Sequence, residues 1–263
     1  MDLGLKGKRA LVMGGAKGLG RSIADALAAE GAVLTISGRD RAALEAAAAD
    51  LKGLGAQGVV TVVADVSSGA DMDMLADTAT EAMGGVDILV LNHGGPPVCT
   101  ASEMKEEDLV KWFQNIVVSP IRITMRLMPA MRAQKYGRVI VVGSSGMQHP
   151  IPTLALSNTL RAAIWAWLKT LSAEVAADGV TMNVLAPGSI LTDRISQTAA
   201  ARAKKSGLTL DEEIIRAGKE VPAGRIGQPS EYGPMGAFLA GETGSYITGS
   251  MIRVDGGRVR SML

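Results

Sequence analysis

The sequence predicts one α/β domain, a doubly wound parallel sheet of about seven strands with helices on both faces. Short apolar runs alternate with helical patterns from end to end. These runs show no polar alternation, which is typical of strands buried on both faces. In the stretch 11–24, an apolar run leads through a Gly-rich turn directly into a helical pattern. With no Pro/Ser linker and no internal repeat, we expect residues 1–263 to form a single domain.

The strands are predicted at apolar runs, most of them rich in Val, Ile and Leu. In chain order they are Arg9–Met13, Val33–Ser37, Val59–Val63, Val86–Leu91, Arg138–Gly143, Thr181–Leu185 and Met251–Val254. The helices are predicted where the apolar residues follow a helical pattern. They are Leu19–Glu30, Asp40–Leu51, Ser68–Met83, Glu106–Ala133 with an interruption near Asn115 and Pro120, Thr153–Asp178, and Pro229–Gly241. The segment Thr192–Val221 is polar and is interpreted as a mobile insertion, a substrate lid over the site.

Composition limits the function classes. Hydrophobic residues make up 47% of the 263 residues, and the net charge of +1 gives no support to nucleic acid or an acidic membrane as partner. Cys99 is the only cysteine, so no intramolecular disulfide can form, which fits a reducing cytoplasm. The start of the chain lacks the apolar core of a signal peptide, and the uncharged run 139–160 is too interrupted to span a membrane. Two histidines and one cysteine indicate no metal site.

A phosphate-binding turn is predicted at Gly14-x-x-x-Gly18-x-Gly20. Gly14 and Gly18 let the backbone turn sharply and approach an anion, and Gly20 lets the helix pack on the strand. The N–H groups at the helix start then face the ligand. The alternative is a purely structural strand-to-helix turn, since glycines number 32 in this chain.

Ligands of doubly wound sheets lie beyond the carboxyl ends of the strands. The residues there are Gly14–Gly20, Arg39, Asp65, Asn92–Gly95, Ser144–Ser145 and Pro187–Thr192. Arg39 follows the second strand, where an adenine ribose is expected, and Lys17 lies in the glycine loop. Two cations at this place favour a 2′-phosphate, hence NADP(H) over NAD(H). Alternatively both are solvated loop charges. Asp65 either bonds the adenine edge or merely ends a strand.

Several of these pieces carry a family resemblance. They are Gly14-x-x-x-Gly18-x-Gly20, Asp65-Val66, Asn92-His93-Gly94-Gly95, Asn115, Gly137 to Ser145, Asn183 to Gly188, Tyr246-Ile-Thr-Gly249 and Val254-Asp-Gly-Gly257. The chain resembles the short-chain dehydrogenase/reductase family over nearly its whole length, in the branch of the beta-ketoacyl carrier-protein reductases. The resemblance implies a homo-oligomer, tetramer or dimer, packed through the two long helices and the C-terminal strand region. Residue patterns and resemblance together give a cofactor set of Gly14, Ala16, Lys17, Gly18, Leu19, Gly20, Arg39, Asp65, Val66, Asn92, Gly94, Arg161, Pro187, Gly188, Ile190 and Thr192.

The chain departs from the family at the expected catalytic residues. Members use Asn, Ser, Tyr and Lys; Asn115 and Ser144 match the first two, but the positions of Tyr and Lys hold Ser157 and Arg161. Both can face the cofactor, because residues i and i+4 share one side of a helix. Ser is a far weaker acid than Tyr. Arg stays charged and cannot pass a proton along, yet it can hydrogen-bond the nicotinamide ribose.

The proton source stays open between Ser157, water and His149. His149 follows Ser144 in the loop above the site, and its alternative interpretation is a solvent-facing loop histidine. His93 is interpreted as a packing or cofactor-wall residue, and Cys99 as inert. The tyrosines are placed away from the site, Tyr136 at the opposite end of the sheet and Tyr232 and Tyr246 in the C-terminal region. Trp165 and Trp167 are assigned to the core or a subunit interface.

Two functions are compatible with this pattern. The first is an NADP(H)-dependent oxidoreductase that acts on a carbonyl or alcohol, 3-oxoacyl-type or another ketone, through an atypical active site. The second is a catalytically impaired NADP(H)-binding sensor or assembly subunit, suggested by the absent Tyr and Lys.

Overall fold

The computed structural model describes residues 2–262, apart from the side chains of residues 201 and 205. Within them, one parallel sheet has the strand order β3-β2-β1-β4-β5-β6-β7. Its strands are β1 Arg9–Met13, β2 Val33–Gly38, β3 Gly58–Val63, β4 Ile88–Leu91, β5 Gly137–Val142, β6 Val180–Pro187 and β7 Met251–Val254. The order reverses between β1 and β4, which brings the carboxyl ends of these two strands together at the switch point of a doubly wound sheet. The predicted fold class is confirmed.

Nine α-helices connect and cover the described strands. They are α1 Gly18–Ala29, α2 Arg41–Leu54, α3 Gly69–Met83, α4 Glu106–Phe113, α5 Ser119–Ala133, α6 Ala155–Val175, α7 Asp193–Ser206, α8 Leu210–Lys219 and α9 Pro229–Ala240. Helices α1, α2 and α9 bury one apolar cluster against one face of the sheet. Helices α3, α5 and α6 bury a second cluster against the other face. No helix among residues 2–262 is long and apolar enough to cross a membrane.

The predicted long helix 106–133 is interrupted where expected. Between α4 and α5 the backbone forms a π-helical turn, Gln114–Val118, which buries Asn115. Such turns insert an extra residue into the helical repeat and often mark functional positions. Pro120 causes no second break; it is the second residue of α5 and follows the π-helical turn directly.

The segment Thr192–Val221 is more regular than its composition indicates. It contains α7 and α8, and α8 begins with a capping box in which Thr209 and Glu212 satisfy each other's backbone N–H groups. The polar composition fits helices with a wide solvated face, and the role of this segment as a mobile substrate lid stays a prediction. The segment is therefore a helical pair that follows the end of β6.

Helices α1 and α9 approach each other closely over glycine. A methyl group built on Gly233 would overlap the backbone carbonyl of Ser22, and one on Gly236 would lie 2.9 Å from Ile23 Cγ1. Both glycines are buried. This close approach fixes α1, whose first turn forms part of the candidate site described next.

Candidate active site

A cavity of about 480 Å³ opens at the carboxyl edge of the sheet. It extends from the ends of β1, β2 and β3 to the π-helical turn. Its described lining is Met13, Gly14, Ala16, Lys17, Ser37, Gly38, Arg39, Asp40, Ala43, Ala64, Asp65, Val66, Met72, Asn92, His93, Gly94, Trp112 and Asn115. The structure thus brings nine predicted site residues and His93 around one space. The other predicted residues lie outside this lining, and their positions are given below.

The glycine loop forms a cradle that side chains would fill. Gly14 and Gly18 both have φ of 60°, in the left-handed region. A methyl group on Gly20 would overlap the carbonyl oxygen of Gly14. Asn92 ties the end of β4 to this loop, because its Nδ2 donates to the carbonyls of Met13 (3.2 Å) and Gly14 (3.3 Å).

Helix α1 begins without a side-chain cap, so the first N–H groups of the helix are left for another acceptor. This cradle fits the diphosphate of a dinucleotide. The side chain of Leu19 packs on the first core cluster, so only its backbone is left for the predicted contact with a cofactor. Thr192 lies over the loop, with its Cγ2 3.8 Å from a methyl group built on Gly18. The segment from Pro187, including Gly188 and buried Ile190, thus leads from the end of β6 toward the cradle.

Two cations and two carboxylates flank the far end of the cavity. Arg39 is exposed, and Lys17 Nζ lies 3.7 Å from Asp40 Oδ2. Both carboxylates are already engaged by backbone: Asp40 caps α2 at Ala43 N–H (3.1 Å), and Asp65 accepts from Ser67 N–H (2.9 Å). The Ser67 backbone N–H, the Ser67 hydroxyl and the charge of Arg39 hold the pKa of Asp65 below its usual range, against the opposing effect of burial. The guanidinium of Arg39 remains available for an anion.

Ser144 lies just after the end of β5, and its hydroxyl proton is not used in its hydrogen bond with Gly146. Its Oγ accepts a hydrogen bond from Gly146 N–H (3.1 Å) as it caps the short turn 145–147. A hydroxyl that accepts from one side still has a proton to donate. Ser144 can therefore donate to an oxygen placed beyond the sheet edge.

Ser157 and Arg161 occupy the first two turns of α6, and both are buried. Arg161 Nη1 donates to the carbonyl of Val142 (2.6 Å), which fixes the guanidinium at the end of β5, two residues before Ser144. Burial, and secondarily the charge of Arg194, lower the pKa of Arg161 to about 10, so the side chain stays charged at neutral pH. The chain gives this buried cation no ion-pair partner among residues 2–262.

Asn115 lines the cavity from the π-helical turn. Its Oδ1 is buried and has no hydrogen-bond partner among the described residues. An unpaired buried acceptor in a native protein calls for a partner such as water or a ligand. The cavity can supply that partner, and this observation again fits a bound dinucleotide and its substrate.

His93 is neutral at physiological pH. Desolvation and the positive charge of Arg161 lower its pKa to about 3. Its Nδ1 lies 2.8 Å from the carbonyl of Gly94 and must donate, because a carbonyl oxygen only accepts. His93 therefore forms part of the cavity wall. Because its ring is neutral, it has no imidazolium proton to give to a substrate.

The remaining candidates lie outside the cavity. His149 is exposed, and Cys99 forms a backbone bridge with Leu154. Tyr136 donates to the carbonyl of Ala240, and Tyr246 is fully exposed. Trp165 and Trp167 are partly buried against the second core cluster. Among residues 2–262 no three His, Cys, Asp or Glu side chains are grouped to hold a metal ion.

Tyr232 lies nearer to the site than the sequence suggests. Its hydroxyl donates to the carbonyl of Leu185 (2.9 Å) near the carboxyl end of β6, and the charge of Arg161 partly offsets the effect of burial on its pKa. Complete burial raises its pKa, so it stays protonated and serves a structural role. Helix α9 produces this placement by packing on α1, a long-range contact that the local pattern does not reveal.

Two residues near the site were missed by the sequence interpretation. Trp112 lines the cavity one turn before Asn115, and the pattern of α4 gave no reason to select it. Arg194, in the first turn of α7, lies against Gly95. A basic residue at the start of a helix is electrostatically unfavourable, and this feature of the sequence could have selected Arg194 as a candidate.

The comparisons with known proteins agree with this geometry. A family model described as enoyl-(acyl carrier protein) reductase matches residues 14–258. The chain is 32% identical to the 3-oxoacyl-[acyl-carrier-protein] reductase of Haemophilus influenzae, over 96% of this chain and 98% of that one. It is 28% identical to the NADPH-dependent reductase BacG of Bacillus subtilis, over 97% and 99% of the two chains. The L-sorbose reductase of Gluconobacter frateurii, solved with NADPH and L-sorbose, superposes with a TM-score of 0.95 at 31% identity over 100% of both chains.

The fold and site define a dinucleotide-binding oxidoreductase of the doubly wound class. The chain belongs to the short-chain dehydrogenase/reductase family.

Proposed function

We propose that this protein is an NADP(H)-dependent oxidoreductase that interconverts a ketone and an alcohol through an atypical active site. The proposal rests mainly on the arrangement of two side chains at the end of β5. Ser144 has a proton free to donate there, and Arg161 is fixed on the carbonyl of Val142 in the position of the family lysine. The NADPH complexes and NADPH-dependent reductases among its relatives support the cofactor.

When bound, the nicotinamide supplies a hydride to the substrate carbon or takes one up. Ser144 donates a hydrogen bond to the substrate oxygen and stabilises the negative charge that forms on it. Asn115 orients the substrate or water through its unpaired Oδ1. Arg161 holds the nicotinamide ribose and adds a fixed positive charge.

The proton of the new alcohol passes through Ser157 from water. Ser157 shares the buried side of α6 with Arg161, whereas His149 is exposed. Because a serine hydroxyl is a poor acid, we expect slower turnover than the family's Tyr would support.

The test is to measure NADPH binding and NADPH oxidation with a panel of ketones and 3-oxoacyl thioesters. We expect binding and oxidation with at least one ketone. Absence of binding would contradict the proposal outright. Tight binding with no oxidation by any ketone would favour the second function, an NADP(H)-binding sensor or assembly subunit, which the replacement of Tyr and Lys by Ser157 and Arg161 supports.

The cofactor preference can be tested at Arg39. We expect Arg39→Ala to weaken NADPH binding about 10-fold or more, because one charge-assisted contact to the 2′-phosphate is lost. NADH binding should change little. Lys52→Ala is the control, since it removes one exposed positive charge from the last turn of α2. Equal weakening of NADPH and NADH binding by Arg39→Ala would disprove a 2′-phosphate contact.

We further propose that the protein is a cytoplasmic homo-oligomer, a tetramer or dimer. Helix α4, the π-helical turn and α5 expose four apolar side chains, a feature typical of subunit contacts. They are Val110, Phe113, Val118 and Met125.

A further inference from the structure

We propose that Arg194 is a specificity-determining residue that selects substrates carrying a carboxylate group. This inference deepens the proposed function and rests on it. The side chain reaches from the first turn of α7 onto the loop that follows β4. Its guanidinium would overlap a methyl group built on Gly95, and Nη2 donates a long hydrogen bond to the carbonyl of Pro96 (3.4 Å). The side chain is nevertheless exposed, so a ligand can reach it.

Arg194, Arg161 and His93 lie near one another at this rim of the site. The positive charge of Arg194 lowers the pKa of Arg161, and the positive charge of Arg161 lowers the pKa of His93. None of the carboxylates among residues 2–262 forms an ion pair with Arg161 or Arg194. Other arginines do form ion pairs, for example Arg122 with Asp73, Arg126 with Asp77 and Arg225 with Glu231. The rim therefore carries two guanidinium groups that form no ion pair, although the carboxylate of Asp193 lies next to Arg194 in the first turn of α7.

The position of Arg194 carries an electrostatic penalty. The N-terminal end of a helix is the positive end of its dipole, where a cation is unfavourable. Asp193 in the same turn offsets part of this penalty, but the N-cap residue Thr192 makes no side-chain cap, so the first N–H groups of α7 are also available. An anion bound between Arg194 and this helix end would offset the positive charge of Arg194 and accept hydrogen bonds from the unpaired N–H groups.

A singly charged carboxylate matches this arrangement. The planar guanidinium forms two parallel hydrogen bonds with a carboxylate, and the fork of Arg194 has at most one long contact with the chain. Arg161 contributes its positive charge, but its guanidinium is already held on the carbonyl of Val142. Because Gly95 follows the cofactor residue Gly94, the carboxylate would lie beside the reacting carbonyl, so the substrate class is a short keto acid or the corresponding hydroxy acid.

The test compares three keto acids with their neutral esters: pyruvate with methyl pyruvate, acetoacetate with ethyl acetoacetate, and levulinate with methyl levulinate. Their binding to the NADP⁺-loaded protein is measured by calorimetry, and NADPH oxidation is measured in parallel. We expect at least one acid to bind about 10-fold or more tightly than its ester. Arg194→Ala should abolish this preference and leave NADP⁺ affinity unchanged, and Arg194→Lys should restore part of it.

Two further variants sharpen the test. Arg202→Ala removes an exposed arginine two turns further along α7 and should leave the acid preference unchanged. Gly95→Ala keeps Arg194 but displaces its guanidinium, and it should reduce the preference without a large loss of stability, because a flexible side-chain end can move.

The outcomes separate the two proposals. The inference is overturned if no acid binds in preference to its ester, or if Arg194→Ala weakens acid and ester equally. It is also overturned if the main loss is in NADP⁺ affinity, since Arg194 would then hold the cofactor diphosphate. Binding to the oxidised-cofactor complex needs no hydride transfer. Acids that bind through Arg194 without any NADPH oxidation would therefore support carboxylate recognition, and the proposed function would be contradicted only if no ketone of the wider panel were oxidised.

Discussion

Replacement of Ser144 by alanine is expected to reduce kcat by about 10²–10³-fold on the ketone that the protein turns over best. The hydroxyl of Ser144 accepts from Gly146 N–H and therefore has its proton free for the substrate oxygen. Loss of one hydrogen-bond donor to an oxygen that gains charge in the transition state has an effect of this size. NADPH binding should stay within about two-fold, because Ser144 lies outside the lining of the cofactor cavity.

The control for this experiment is Ser102→Ala, which removes an exposed hydroxyl from the short turn after residue 100. It should leave kcat and KM unchanged. Unaltered turnover in Ser144→Ala would show that another group stabilises the substrate oxygen. A loss that appears only in KM for NADPH would also contradict the assigned role, since it would place Ser144 in cofactor binding.

Gly233→Ala is expected to destabilise the protein by about 3 kcal/mol. The added methyl group would overlap the backbone carbonyl of Ser22, so α1 and α9 must separate. Backbone atoms cannot move aside as a side-chain end can, and the better helix propensity of alanine offsets only about 0.5–1 kcal/mol. The midpoint of urea unfolding and the Tm measure the effect, and a domain of this size should lose about 5–10 °C.

Gly53→Ala is the matched control within helix α2. No atom lies within 4 Å of a methyl group built there, and the residue has no positive φ. Alanine should therefore stabilise the protein by up to about 1 kcal/mol, because it lowers the entropy of the unfolded chain. If both variants changed stability equally, the close α1–α9 contact would not be the cause.

The strands and the phosphate cradle were predictable from local sequence. β1 and β7 have the predicted bounds, because an uninterrupted apolar run in a parallel sheet has a clear beginning and end. Gly14, Gly18 and Gly20 could be selected because only glycine tolerates the left-handed turn and the close approach of backbone that this loop requires. The family resemblance located Ser157 and Arg161, and their i, i+4 spacing predicted that they share one side of a helix, which in the structure is a buried side of α6.

By itself, the sequence determined the parallel sheet, the glycine cradle at its carboxyl edge and the identities of the residues at the end of β5. These depend on interactions within a few residues, which the order of residue types encodes directly. The tertiary structure alone decided that Arg194 lies on Gly95 and that Tyr232 reaches the carbonyl of Leu185. Both depend on contacts between segments distant in the chain, which the local order of residue types does not encode.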